Sequence, residues 1–119
     1  MQRLKTRKQG EYEYDAGNDL LIFRTKERDY HSSLEFDDFV LDMDTKRHIT
    51  GMRIFDASKV FDISKRALSD LRNLEFGSKM EGNSISISMR FDVEKNGVME
   101  RHVQNFYGCI SSEVESGIV

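Results

Sequence analysis

Aspartates 37, 38, 42, 44 and 56 crowd around two turns of the sequence, and carboxylates gathered in that way suit the hard cations calcium and magnesium. Asp42, Asp44 and Lys46 follow the opening ligand spacing of a calcium-binding loop. A lysine then replaces the third oxygen ligand, and Arg47 stands where the sharp turn of such a loop needs glycine. Asp37, Asp38, Asp42, Asp44 and Asp56 are therefore candidate ligands of a small metal-dependent hydrolase or metal-binding protein, weighed against solvated turn acids with Asp56 as a helix cap. His31, His48 and His102 lie far apart and lack zinc-ligand spacing. Cys109 has His102 earlier on the same stretch, but no carboxylate at a recognisable position would orient that pair for nucleophilic attack. Glu35 and Asp37 are a further carboxylate pair with the types needed for acid–base work. The glycines at 77, 82 and 97 read as isolated turn residues, so no glycine-rich phosphate loop is present. The sequence assigns no catalytic residue and no cofactor.

Charge adds one more candidate. The first ten residues hold Arg3, Lys5, Arg7 and Lys8 and no acid, on a chain whose net charge is −3. A basic arm on an acidic body could touch nucleic acid, but no aromatic residue is interleaved to stack bases, and the acidic remainder opposes broad phosphate contact. A solvated terminus is the plainer expectation. At 119 residues, 38% hydrophobic and 33% charged, the chain fits one globular domain. The expected division is a flexible basic arm over 1–10, a single domain over 11–110 and a flexible tail over 111–119. With one cysteine, no membrane-length apolar run and no signal-peptide core, a cytoplasmic protein is expected.

The elements that must position these residues are mostly strands. Without any proline, glycine and Asp/Asn clusters mark the turns. Tyr12 and Tyr14 alternate with charged neighbours, 20–24 reads as a central strand, and 30–36, 39–43 and 49–55 follow as further short strands. Short connections predict an antiparallel meander. Val60, Ile63, Ala67, Leu68, Leu71 and Leu74 then recur at helical spacing, with Asp56 or Ser58 and Asp62 or Ser64 as caps. Ile85, Ile87, Met89, Phe91 and Val93 alternate strictly with polar residues, Ser84, Ser86 and Ser88 among them. The turn at Asn96-Gly97 allows two registers for this hairpin. A two-residue loop sets Val93 opposite Glu100. A three-residue loop pairs Val93 with Met99 and Met89 with Val103, and is preferred because it buries apolar against apolar. The fold class is α+β, a mostly antiparallel meander sheet with one amphipathic helical segment packed on it and a long C-terminal β-hairpin. The expected core is Tyr14, Leu21, Phe23, Leu41, Ile54, Val60, Leu68, Leu71, Ile87, Met89 and Phe91.

Four stretches then occur in order: Tyr14-Asp15, Asp19-Leu20-Leu21-Ile22-Phe23, Asp37-Asp38-Phe39-Val40-Leu41-Asp42-Met43-Asp44, and Gly51-Met52-Arg53-Ile54-Phe55-Asp56-Ala57-Ser58-Lys59. This series resembles the small bacterial and archaeal family catalogued as domain of unknown function 2283, over about residues 11–60. The resemblance implies a compact antiparallel sheet with a helix and carries over no catalytic residue. Several sheet edges and no catalytic constellation together favour a protein-interaction or regulatory module, assembled as a homodimer through a sheet edge or helix or bound to another protein. The metal-dependent hydrolase and weak nucleic-acid binding through the arm are the alternatives.

Overall fold

Period-two alternation governs most of this chain, and strands accordingly make up most of the structure. The computed structural model describes residues 3–6, 10–25, 31–46 and 48–109, with backbone alone for 3–6, 10 and 25. Nine strands and two short helices run in the order β1 (Arg3–Thr6), β2 (Gly10–Asp15), β3 (Leu20–Thr25), β4 (Ser32–Glu35), β5 (Phe39–Met43), β6 (Ile49–Ile54), α1 (Ala57–Phe61), α2 (Lys65–Leu68), β7 (Arg72–Glu81), β8 (Ser84–Lys95) and β9 (Val98–Cys109). The expected strand at 30–36 is thus shorter, and Tyr30 lies outside the described residues, as do Arg7, Lys8, Arg47 and 110–119.

All pairings are antiparallel, but the chain is not one meander. Strands β2-β3-β6-β5-β4 form one sheet and β1-β7-β8-β9 a second. In the first, β4-β5-β6 meander and β6 returns to pair with β3, so Leu21 faces Ile54 and Phe23 faces Met52. This places β6 at the centre of the sheet between the strongly apolar β3 and β5, and the more polar β2 and β4 take its edges. The inner faces of both sheets meet in one core. Phe23 stacks on Phe76 with ring centroids 5.2 Å apart, and Phe39 meets Phe106 edge-on at 5.2 Å. A second sheet, rather than the helical segment, therefore supplies most of the opposing layer. Of the expected core, Tyr14 and Val60 are partly buried against it and the remainder are fully within it.

The helical stripe is cut short. α1 ends at Asp62, which is left-handed (φ 54°), and Ser64 caps α2 by accepting the Ala67 N–H at 3.1 Å. Ala57, Phe61 and Leu68 are buried, but Leu71 follows α2 and Leu74 already belongs to β7. Gly77 lies within β7 opposite Ser88, not in a turn.

The hairpin register differs from the preferred one. Val93 pairs with Glu100, Phe91 with His102 and Met89 with Gln104, through a two-residue turn with Asn96 at φ 53° and Gly97 at φ 79°. Both central residues are left-handed, the turn that Asn-Gly favours because its twist matches the strands. The rejected register would have turned Met99 and Val103 inward, but Arg101 and Asn105 with them, and buried unpaired polar groups are costly. In the observed register Phe106 is buried and His102 lies parallel on Phe91 at 5.6 Å.

Candidate functional site

The candidate acids do separate jobs. Asp37 and Asp38 are exposed in the β4–β5 turn. Asp42 points off the outer face of its sheet and accepts from Arg53 Nη2 at 2.9 Å and from the Ser33 hydroxyl at 2.8 Å. Asp44 closes the next turn by accepting the N–H groups of Lys46 at 2.8 Å and His48 at 2.9 Å. Burial would raise its carboxyl pKa, but those two N–H donors and the nearby His48 ring outweigh it and hold the group below its usual range. Asp56 is exposed and left-handed (φ 53°) at the start of α1, with no side-chain cap bond. Among the described residues no three His, Cys, Asp or Glu side chains gather into a group able to hold a metal ion. Residues 3–6, which include Arg3 and Lys5, form a strand on the edge of β7, with Lys5 opposite Gly77.

The acid that sequence reasoning missed is Asp19. It is left-handed (φ 51°), 8% exposed, and ends the β2–β3 turn. Its carboxylate accepts from the Tyr14 hydroxyl at 2.6 Å, the Ser58 hydroxyl at 2.6 Å and the Ser58 N–H at 3.0 Å. Its backbone carbonyl accepts the Ala57 N–H at 3.0 Å. A residue far away in sequence thus caps α1, the job expected of Asp56 or Ser58. Burial pushes the Asp19 carboxyl up, but the bonds from Ser58 and Tyr14 and the charge of Lys65 prevail, leaving it below the usual carboxylate range. Burial, then the hydrogen bond to Asp19 and the charges of Asp19 and Asp15, push the Tyr14 phenol up to about 12. Tyr12, on the same face of β2, accepts the Leu71 N–H at 2.7 Å. The two tyrosines hold the helical segment at both ends. This is an architectural site, and its polar atoms point at one another.

A glycine constrains the first sheet beside Asp42. Gly51 lies on β6 between Arg24 of β3 and Asp42 of β5. A Cβ there would come 2.9 Å from the Phe23 carbonyl oxygen and 3.3 Å from Asp42 Oδ2, so the close approach of β3 requires glycine.

The other candidate is the outer side of the second sheet. Ser84, Ser86 and Ser88 form a polar floor beside Lys79, and β9 adds Asn105 and Tyr107 along a shallow open depression. One end of this face is clamped by Asp92, which accepts from Arg101 Nε at 2.7 Å and Asn73 Nδ2 at 2.8 Å. Hydrogen bonds from Arg101 and Asn73 lower the Asp92 pKa. Along β9 itself Met99 (43% exposed), Val103 (54%) and Tyr107 (73%) form an apolar row. Among the described residues, β9 borders β8 on one side and no strand on the other. The usable sequence signal for this row was the Asn-Gly turn: its two-residue register turns these three side chains outward.

Two antiparallel sheets sharing one core, a buried aspartate that fixes α1 to the first of them, and an exposed edge with an apolar row define a small strand-rich α+β protein. The chain belongs to the family described as Protein of unknown function (DUF2283), whose profile matches residues 11–58. The matched stretch holds all of the first sheet except Gly10 and ends on Ser58, so it includes Tyr14, Asp19 and Ser58 of the knot described above, and Gly51. The chain is also similar to a protein of Methanosarcina mazei that carries the name "Putative hypoxanthine phosphoribosyltransferase". That relative is 30% identical over 84 residues, which span 71% of this chain and 68% of the relative. No solved structure matches the chain. No helix among the described residues is long and apolar enough to cross a membrane.

Proposed function

We propose that this protein is a non-catalytic interaction module that binds an extended polypeptide strand along β9. One observation carries the reading: β9 is a twelve-residue edge strand, in unbroken register with β8, that presents Met99, Val103 and Tyr107 to solvent. Edge strands are ordinarily blunted by shortness, proline, lysine or a bulge, because their free N–H and C=O groups template further pairing. The edges β1 and β4 are four residues long, and β2 carries Glu11, Glu13 and Asp15. β9 is long and regular, with no lysine, proline or bulge, and its charged residues Glu100, Arg101 and His102 lie towards its turn end, leaving the stretch from Val103 to Cys109 without a charge. Strand addition supplies affinity through main-chain hydrogen bonds and specificity through alternate side chains, which here are the apolar row.

Phosphoribosyl transfer enters only through the printed name of the Methanosarcina mazei relative. The described glycines at positive φ, Gly82 and Gly97, close hairpins, whereas a phosphate-cradling loop opens a helix. The interaction reading is tested with a synthetic peptide of residues 98–108 added to the isotope-labelled full chain. Amide shifts concentrated along β9 are expected. A spectrum in which β9 does not move, or in which β2 and β4 respond equally, would overturn the reading.

A further inference from the structure

We infer that the strand received by β9 is the β9 of a second copy, paired antiparallel about a two-fold axis through Val103. This rests on the reading of β9 as the binding edge and identifies its partner. Antiparallel pairing about such an axis keeps each copy's outer face on the same side, so outward residues oppose outward residues. The outward row of β9 is Met99, Arg101, Val103, Asn105 and Tyr107, with the apolar members four positions either side of Val103. An axis at Val103 therefore sets Val103 against its own copy and Met99 against Tyr107 twice, so every apolar member meets another. It also sets Arg101 against Asn105 and keeps nearly the full length of β9 in the ladder.

The neighbouring axes are worse. At Arg101 two guanidinium groups oppose each other, and like charges directly across a pair are unfavourable. At His102 or Gln104, Val103 faces Arg101 or Asn105. At Asn105, Val103 meets Tyr107, but Met99 is left without a partner and the ladder shortens. The palindromic spacing of the row, the length of β9 and the absence of an opposed like charge all select the same axis. The product joins two four-stranded sheets into one of eight strands, with each Tyr107 covered by the partner's Met99 beside the serine floor.

Cysteine cross-linking of the full chain, in a Cys109→Ser background, tests the axis. Val103→Cys should form a covalent dimer under mild oxidation or with a short bis-maleimide, at least tenfold more than Arg101→Cys, whose two thiols would lie about 13 Å apart along the strands. Met99→Cys and Tyr107→Cys should cross-link when mixed and not alone. All four positions are on the exposed side of β9, and circular dichroism confirms that each variant is folded. A two-chain mass by light scattering without the Val103 and mixed 99/107 cross-links would overturn the axis and leave the β9 reading standing. A one-chain mass up to high micromolar concentration would overturn self-pairing, and an unmoved β9 spectrum in the peptide titration would overturn the β9 reading with it.

Discussion

Asp19 ties β2 and α1 to the turn between β2 and β3. It receives hydroxyls from β2 and α1 and an N–H from the first turn of α1, and its own carbonyl holds Ala57. Bonds to a charged acceptor contribute about 1.5–3 kcal/mol each in net terms, so Ser58→Ala, which removes one, should cost about 2 kcal/mol and Asp19→Ala, which removes three, at least about 4 kcal/mol in urea unfolding. Its pH dependence has a definite sign. The carboxyl is lower in the folded state, so its contribution is full above the unfolded value near 3.9 and is lost as pH falls from there through the folded value. Below about pH 4 the stability of the Asp19→Asn variant should therefore fall less steeply than that of the native chain. Tyr14 works at the other end of the scale. Its phenol rises to about 12, so its contribution is full below pH 10 and disappears as pH climbs from 10 through 12. Tyr14→Phe should be less stable than the native chain at pH 7, and the gap should close across that alkaline window; a constant gap would mean that the phenol bond is not its source. Sequence pattern could not reveal Asp19, because a turn aspartate looks the same whether it faces water or a helix end brought from 39 positions further along the chain.

Among the elements, local alternation was legible and distant pairing was not. The strands around Leu21, Leu41, Ile54 and Ile87 all lie where a short apolar run (Leu20 to Phe23) or alternation put them, because a buried face demands apolar side chains at fixed spacing. β7 was obscured because Leu71 and Leu74 extend the helical spacing of Val60, Ile63 and Leu68 into a segment that leaves the helix at Ser69. The strand order was hidden for a similar reason: β6 returning to β3 depends on which faces complement each other in three dimensions. In the hairpin two local signals disagreed, and the turn chemistry of Asn96-Gly97 prevailed over apolar pairing. Gly97→Ala should cost about 1 kcal/mol, because a Cβ strains a left-handed residue. Gly108→Ala should be worse, since its new methyl would run into the Phe36 ring, which also stacks on Phe39. Thermal unfolding of the two variants compares them directly, and an unchanged melting temperature for Gly108→Ala would contradict the packing of β9 on the β4–β5 turn.

The whole molecule divides its labour between its two sheets. The matched family region builds the first sheet and the knot that anchors the helices, and the second sheet presents a long, regular, apolar edge. The candidate binding surface was only partly legible, because the preferred hairpin register paired Met99 and Val103 with Val93 and Met89, whereas the observed turn points them outward. Replacing Val103 or Tyr107 by lysine should change stability by no more than about 0.5 kcal/mol, since both are more than half exposed, yet should abolish association. Concentration-dependent amide hydrogen exchange on the full chain tests the central claim most directly. As the protein is raised from low to high micromolar, the β9 amides that point away from β8 should gain at least tenfold protection. The amides at the free edges of β2 and β4 should not change, and Val103→Lys should remove the effect. Outward β9 amides that exchange at the same rate at every concentration would contradict the account.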